Sequence, residues 1–160
     1  MVLAVLVTGI AADQLVKRWA LQNLADGQTY EILPFLSLSL AFNPGAAFGI
    51  GAEAGAWFAI GILVILLALS GWIVFKLGRG DTLTSILLLT VVAAGGWGNM
   101  VDRMTRADNG PLSGTVVDYF ATEGFAIFNL ADVFAVVGMT LWAITYVRAN
   151  RDNAPPPSHA

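Results

Sequence analysis

The chain contains no cysteine and a single histidine, and only 12% of its 160 residues are charged. Without cysteine there can be no disulfide, no thiol nucleophile and no thiolate metal site. The one histidine, His159, follows a Pro155-Pro156-Pro157 run in a tail whose composition reads as disordered. A His-activated nucleophile and a His-ligated metal therefore lose their support. The scarcity of charge separates the chain from soluble domains, in which roughly 25% of residues are charged. A net charge of −3 argues against nucleic acid as a partner.

Hydrophobic residues fill the space, at 57% of the chain with a mean hydropathy of +0.72. Apolar runs fall at about 2–19, 55–77, 82–101 and 127–147. Each has roughly the 17–25 residues needed to cross a ~30 Å hydrocarbon core. The expected fold is an all-α membrane protein, a four-transmembrane-helix bundle in a single domain over residues 1–150. Residues 151–160 are expected to be a disordered cytoplasmic tail. The first run is read as a retained span, not a signal-peptide core. No basic leader precedes it, and its helix continues through Asp13 and Lys17, an i,i+4 pair on one face.

Four spans put the loop 20–54 and the connection 103–126 on one side, and the termini with the short 78–81 turn on the other. Basic residues split evenly, Lys17, Arg18, Arg103 and Arg106 against Lys76, Arg79, Arg148 and Arg151, so the positive-inside count is balanced. Lys76, Arg79, Arg148 and Arg151 flank their spans without acidic motif partners, which favours cytoplasmic termini and a periplasmic loop. In that loop Leu36-Ser37-Leu38-Ser39-Leu40 alternates with period two, so a small extracytoplasmic β-element is expected between spans one and two. Asn43-Pro44-Gly45 follows as a turn.

The polar residues inside the spans carry the functional signal. A carboxylate in hydrocarbon costs about 2.5–3.5 kcal/mol on insertion scales and is rarely retained without a role. At a rise of about 1.5 Å per residue, Asp13 lies about 18 Å along the first span, and Asn99 and Asp102 about 25–30 Å along the third. Asp132 lies about 8 Å in from the outer end of the fourth, which runs the other way. All of them fall in the outer third of the bilayer. Asn99 and Asp102 share a helix face at i,i+3, as Asn129 and Asp132 are expected to. The small residues Ala93, Ala94, Gly95, Gly96 and Gly98 would let the polar faces approach.

Two facing carboxylates cannot both ionise easily, so such a pair holds one proton between them, as aspartic hydrolysis requires. Asp118 and Asp132 are the best candidate pair. Neither has an adjacent cation, whereas Asp13 has Lys17 and Asp102 has Arg103. The bland alternative is that these groups are polar glue between helices. A proton-coupled transporter would spread polar groups through the whole depth, and the inner half of these spans is nearly featureless. Serine chemistry lacks a base near Ser70 or Ser85. Gly78-Arg79-Gly80-Asp81 matches a G-x-G-D protease string, but it is read as an ordinary turn.

Five segments in order resemble the bacterial lipoprotein signal peptidase (signal peptidase II) family. They are Asp13-Gln14-Leu15-Val16-Lys17, Phe42-Asn43-Pro44-Gly45-Ala46-Ala47-Phe48-Gly49, Gly98-Asn99-Met100-Val101-Asp102-Arg103, Val116-Val117-Asp118-Tyr119-Phe120 and Phe128-Asn129-Leu130-Ala131-Asp132. The resemblance implies an aspartic endopeptidase of the bacterial inner membrane. Such an enzyme removes signal peptides from diacylglyceryl-modified prolipoproteins, cutting on the N-terminal side of the lipidated cysteine. It implies Asp118 and Asp132 as the catalytic dyad, and Asn43, Asn99, Arg103 and Asn129 as substrate-binding residues. Asp13, Lys17, Asp102 and Gly45 would support them. Membrane lipids and a globomycin-like inhibitor are the further partners it implies, and it implies no metal and no cofactor. Residues 35–48 are expected to cradle the substrate. Two features depart from many relatives: only thirteen residues separate Asp118 from Asp132, and Val133 stands where a small hydroxyl residue is common.

Overall fold

The computed structural model describes residues 1–45 and 50–152. Residues 46–49 of the second motif and the tail residues 153–160, including His159, lie outside the described residues. Four long helices account for most of the chain: α1 (Val2–Asn23), α2 (Ala56–Gly78), α3 (Leu83–Thr105) and α4 (Leu130–Asp152). Three of them, α2, α3 and α4, are long and apolar enough to cross a membrane. The fourth, α1, has the length but carries Asp13, Gln14, Lys17 and Arg18 within it.

Helix α3 is the axis of the molecule and packs against the other three helices. The middle of its buried face is a run of small residues, Ala93, Ala94, Gly95 and Gly98. A side chain at Gly95 would put its Cβ 2.3 Å from the Ala131 carbonyl oxygen, so α3 and α4 touch backbone to backbone there. Close approach through small residues is how helices associate where lipid removes the hydrophobic drive between them. By contrast α2 rests mainly on α3, with Trp97 Nε1 donating to Ser70 Oγ at 3.1 Å across that contact, and it reaches α4 through the edge-on packing of Trp72 against Trp142.

A four-stranded antiparallel sheet caps the end of the bundle that carries Asn99, Asp102 and Asp132, in the order β1 (Tyr30–Leu33), β2 (Leu36–Asn43), β3 (Val116–Thr122), β4 (Ile127–Phe128). The sequence pattern predicts strands in the loop 20–54 only. The second connection supplies the other half of the sheet, with Ala41 opposite Asp118 and Asn43 opposite Val116. Period-two alternation does not reveal β3, because Val116, Val117, Asp118 and Tyr119 are all buried and the strand has no solvent face there.

The start of the fourth helical run also moves. Residues 127–128 extend the apolar run but pair with Ala121 and Phe120 as β4, and α4 begins only at Leu130. Asn129 is therefore the residue before the helix and does not belong to its face. At the opposite end, α4 continues past residue 150 to Asp152. The Gly78-Arg79-Gly80-Asp81 string is the turn between α2 and α3, where Lys76 pairs with Asp81. It lies at the end of the bundle away from the sheet.

Candidate active site

Two layers of polar groups meet where α1, α3 and α4 run into the sheet. The lower layer is centred on Lys17, which is fully buried. Its Nζ contacts Asp13 Oδ2 at 2.8 Å, Asp102 Oδ2 at 2.9 Å and Asn99 Oδ1 at 2.7 Å, engaging all three of its donors. Asp13 and Asp102 are likewise fully buried. Gln14 Nε2 closes the cluster onto the Gly98 carbonyl at 3.0 Å and onto both carboxylates at 3.2 Å. Two buried carboxylates around one ammonium persist only when the remaining lone pairs are filled. Here they are filled by backbone: Ala131 N donates to Asp13 at 3.1 Å, and Val117 N donates to Asp102 at 3.2 Å.

Those two backbone groups neighbour the two aspartates of the upper layer, Asp132 on α4 and Asp118 on β3. Asp118 is 2% exposed, and Asp132 is half-buried. Asn129 lies between them. Its Nδ2 donates to Asp118 Oδ1 at 2.6 Å, and its backbone N donates to Asp132 Oδ2 at 3.1 Å. Asn99 Nδ2 donates to Asp132 Oδ1 at 2.8 Å, and Asn43 Nδ2 donates to Asp118 Oδ2 at 3.1 Å. Each carboxylate thus receives two N–H donors, and Asn99 passes the lower layer's contact upward to Asp132.

Burial drives the Asp118 carboxyl up from its ordinary 3.8 to about 6, against the donors from Asn43 and Asn129 and with the nearby Asp132 charge assisting. A carboxyl tuned this way can hold a proton near neutral pH, as a general acid must. Asp118 and Asp132 line one cavity of about 570 Å³ between the sheet and the helices. Its deep wall is apolar, from Ile62 and Gly96 to Val133, Val136 and Val137.

Every residue proposed from the sequence is thus brought to this end of the molecule. Gly45 is buried; its N–H bonds Asn43 Oδ1 at 2.9 Å, and its carbonyl accepts from Arg103 Nη2 at 2.5 Å. One pairing differs from expectation. Arg103 makes no ion pair with Asp102 among the described residues; it bonds the carbonyls of Gly45 and Asn99. Adjacent helix residues point about 100° apart, so Asp102 meets Lys17 and, from one turn on, Arg106 at 3.4 Å. Sequence reasoning missed Gln14, although it sits in the quoted motif beside Asp13. It also missed Tyr119, whose hydroxyl accepts the Leu130 N–H at 3.1 Å and ties β3 to the first residue of α4. The signal for Tyr119 was a phenol within a largely apolar segment, where its hydroxyl needs a partner once buried.

Fold and site together describe a multi-pass membrane enzyme with paired carboxyls over an apolar cavity. The family model for signal peptidase (SPase) II matches residues 5–148. A lipoprotein signal peptidase of Bifidobacterium adolescentis is 39% identical over 132 residues, covering 82% of this chain and 67% of the relative. One from Lactococcus lactis subsp. lactis is 36% identical over 142 residues, covering 87% and 88%. A solved bacterial membrane enzyme superposes with a TM-score of 0.79 at 27% identity, covering 99% of this chain and 94% of the other. This chain belongs to the signal peptidase II family, membrane proteases that act on prolipoproteins.

Proposed function

We propose that the protein is an aspartyl endopeptidase that cuts diacylglyceryl-modified prolipoproteins on the N-terminal side of the lipidated cysteine, with Asp118 and Asp132 as its dyad. The observation that carries this reading is Asn129. One residue donates to both carboxyls, at 2.6 and 3.1 Å, and so holds the two on a common cavity.

Asp118, nearly sealed from solvent and with a raised pKa, holds the proton. Asp132, at the more open edge of the cavity, takes a proton from water as that water attacks the scissile carbonyl carbon. Asp118 gives its proton to the carbonyl oxygen, forming a tetrahedral diol. On collapse, Asp118 recovers a proton from the diol, Asp132 passes its proton to the departing cysteine nitrogen, and the C–N bond breaks. The dyad is then reset. Arg103 and Asn43 orient the peptide backbone at the mouth, and the apolar wall of Ile62, Val133, Val136 and Val137 takes the acyl chains.

Helix α1 is the fourth span in this reading. Its Asp13 and Lys17 meet Asp102 inside the bundle and avoid lipid, which removes the main objection to its insertion. The site then faces the periplasm from the inner membrane, with both termini cytoplasmic. Residues 35–45, the described part of the expected cradle 35–48, hold the substrate from the sheet side. Globomycin, as a peptide-like inhibitor, binds across the same cavity.

Separate Asp118→Asn and Asp132→Asn substitutions test the dyad, assayed on a lipid-modified precursor peptide in detergent. Each is expected to reduce cleavage by more than about 10³-fold with folding and globomycin binding retained. Cleavage near the wild-type rate by either variant removes that residue from the dyad. Unfolding of both would assign the carboxyls to helix packing.

A further inference from the structure

A second cleft, of about 440 Å³, opens beside Asp118 on the side of the sheet. Among the described residues, none from a helix lines it. Its walls are the end of β2 (Ala41, Phe42, Asn43, then Pro44) and the β3–β4 hairpin (Thr122 and Phe125 to Ile127), with Asp118 at its inner end. The cavity between the helices shares Asn43, Asp118 and the hairpin residues 125–127 with it. The hairpin is therefore a partition between two spaces that meet at Asp118. The thirteen-residue spacing of the two aspartates has a structural meaning here, because those residues form β3, the hairpin turn and β4.

The hairpin is a built feature. Thr122 Oγ1 donates to the Ala126 carbonyl at 2.8 Å and accepts the Ala126 N–H at 3.1 Å, closing the turn on itself. Gly124 takes a left-handed φ of +68°, which presents Phe125, 70% exposed, over both spaces. Apart from Asp118, the outer cleft's lining has no charged side chain among the described residues.

From this division we infer that the outer cleft is the subsite for the mature lipoprotein, taking the residues that follow the lipidated cysteine in extended form. The inference rests on the proposed peptidase reading. A prolipoprotein has two apolar parts, its signal peptide and its acyl chains, and both are suited to the cavity walled by helices. The segment after the cysteine is polar chain that must leave on the aqueous side. The sheet-walled cleft is the space at Asp118 that leads there without crossing a helix. Its uncharged lining, ending on a carboxyl, favours small uncharged residues and disfavours acidic ones directly after the cysteine.

The test compares two lipid-modified peptides, one ending as an amide at the lipidated cysteine and one continuing for several mature-side residues. The full-length wild-type protein is expected to cleave the longer peptide with at least tenfold higher kcat/KM. Peptides with Lys or Asp directly after the cysteine then read the cleft's charge in two variants of Phe42, which lines only the outer cleft and is 54% exposed. Phe42→Glu is expected to shift the Lys-over-Asp ratio upward by several-fold and Phe42→Lys to shift it downward. Equal kcat/KM for the short and long peptides, or a Lys/Asp ratio that both variants leave unmoved, overturns the subsite. Failure of the wild type to cleave any of these peptides instead overturns the peptidase reading on which it rests, and cleavage near the wild-type rate in Asp118→Asn overturns the place of Asp118 in the dyad.

Discussion

Asn129 and Asp132 cap the first turn of α4 reciprocally. The Asn129 side-chain oxygen accepts the Asp132 N–H at 3.1 Å, and the Asp132 carboxylate accepts the Asn129 N–H at the same distance. This is a capping box with the helix-entry residue and the third residue exchanging bonds. The carboxylate proposed to activate water is thereby fixed by the start of its own helix, and Asn129 still has its Nδ2 free of the cap to reach Asp118 and Asn99.

Removing that side chain separates the two duties. Asn129→Ala loses one cap, worth about 1 kcal/mol, which a thermal melt in detergent detects as a modest drop in Tm. It also removes a donor from Asp118 and loosens Asp132, so kcat is expected to fall by 10²-fold or more. Asn129→Ser keeps the cap but cannot reach Asp118. It should recover the Tm and leave kcat low. Recovery of both together would mean that Asn129 acts through helix stability alone.

Lys17 is the opposite case, a residue remote from substrate on which the framework depends. Lys17→Met leaves two buried carboxylates without their cation, and breaking such a pair costs about 3–5 kcal/mol. The variant is expected to melt far below the wild type or to fail to accumulate. Adding Asp13→Asn and Asp102→Asn removes the stranded charge while keeping oxygens for the Ala131 and Val117 N–H groups. The triple variant should therefore regain more than half of the lost Tm. No recovery would show that the cluster's role lies in packing, not charge.

The polar layer was legible in the sequence because carboxylates and amides in apolar runs are costly, and their positions along each run set a common depth. Asp13, Asn99, Asp102, Asn129 and Asp132 announce themselves in this way, and Lys17 follows from its i,i+4 spacing to Asp13. The sheet was half legible. Strand β2 alternates, but β3 is buried over its first four residues and β4 is two residues hidden at the front of an apolar run. The pairing of Asp102 with Lys17 in place of Arg103 needed the third dimension, since sequence adjacency says little about which way neighbouring helix side chains point. So did the hairpin partition, whose residues look like an ordinary turn.

The proton on Asp118 makes two measurements depend on pH. Its folded value of about 6 lies above the ordinary 3.8, so the folded state binds this proton more tightly than the unfolded one. The resulting stability is fully present below about pH 3.8 and is lost as pH rises through about 6. Asp118→Asn removes a burial penalty on the order of 2–3 kcal/mol at pH 8, against about 1 kcal/mol for one donor left facing an amide. Its Tm is expected to exceed that of the wild type at pH 8 and to lose that advantage by about pH 4. In the active protein, kcat/KM should decline as pH rises through about 6. Asn43→Ala should move that decline upward, because Asn43 donates to Asp118 and favours its charged form. A decline that Asn43→Ala leaves unmoved would assign the titration to another group.

The last prediction concerns the contact that brings the two halves of the site together. At Gly95 an added Cβ would lie 2.3 Å from Ala131 O and 2.9 Å from Ala135 N, both backbone atoms that no side-chain rotation can clear. Gly95→Ala must therefore push α4 away from α3, at a cost of about 1–3 kcal/mol for overpacking. The displacement acts directly on Ala131, whose N–H bonds Asp13 and whose neighbour is Asp132. Activity should thus fall by more than the Tm loss alone would explain. Gly71→Ala, on α2 with nothing within 4 Å of its added Cβ, is the matched control. There the substitution removes only glycine's backbone freedom within a helix, so Tm should hold or rise slightly with cleavage unchanged. Equal behaviour of the two variants would mean that α3 and α4 can separate without disturbing the aspartates, and that the close helix contact does not set the site's geometry.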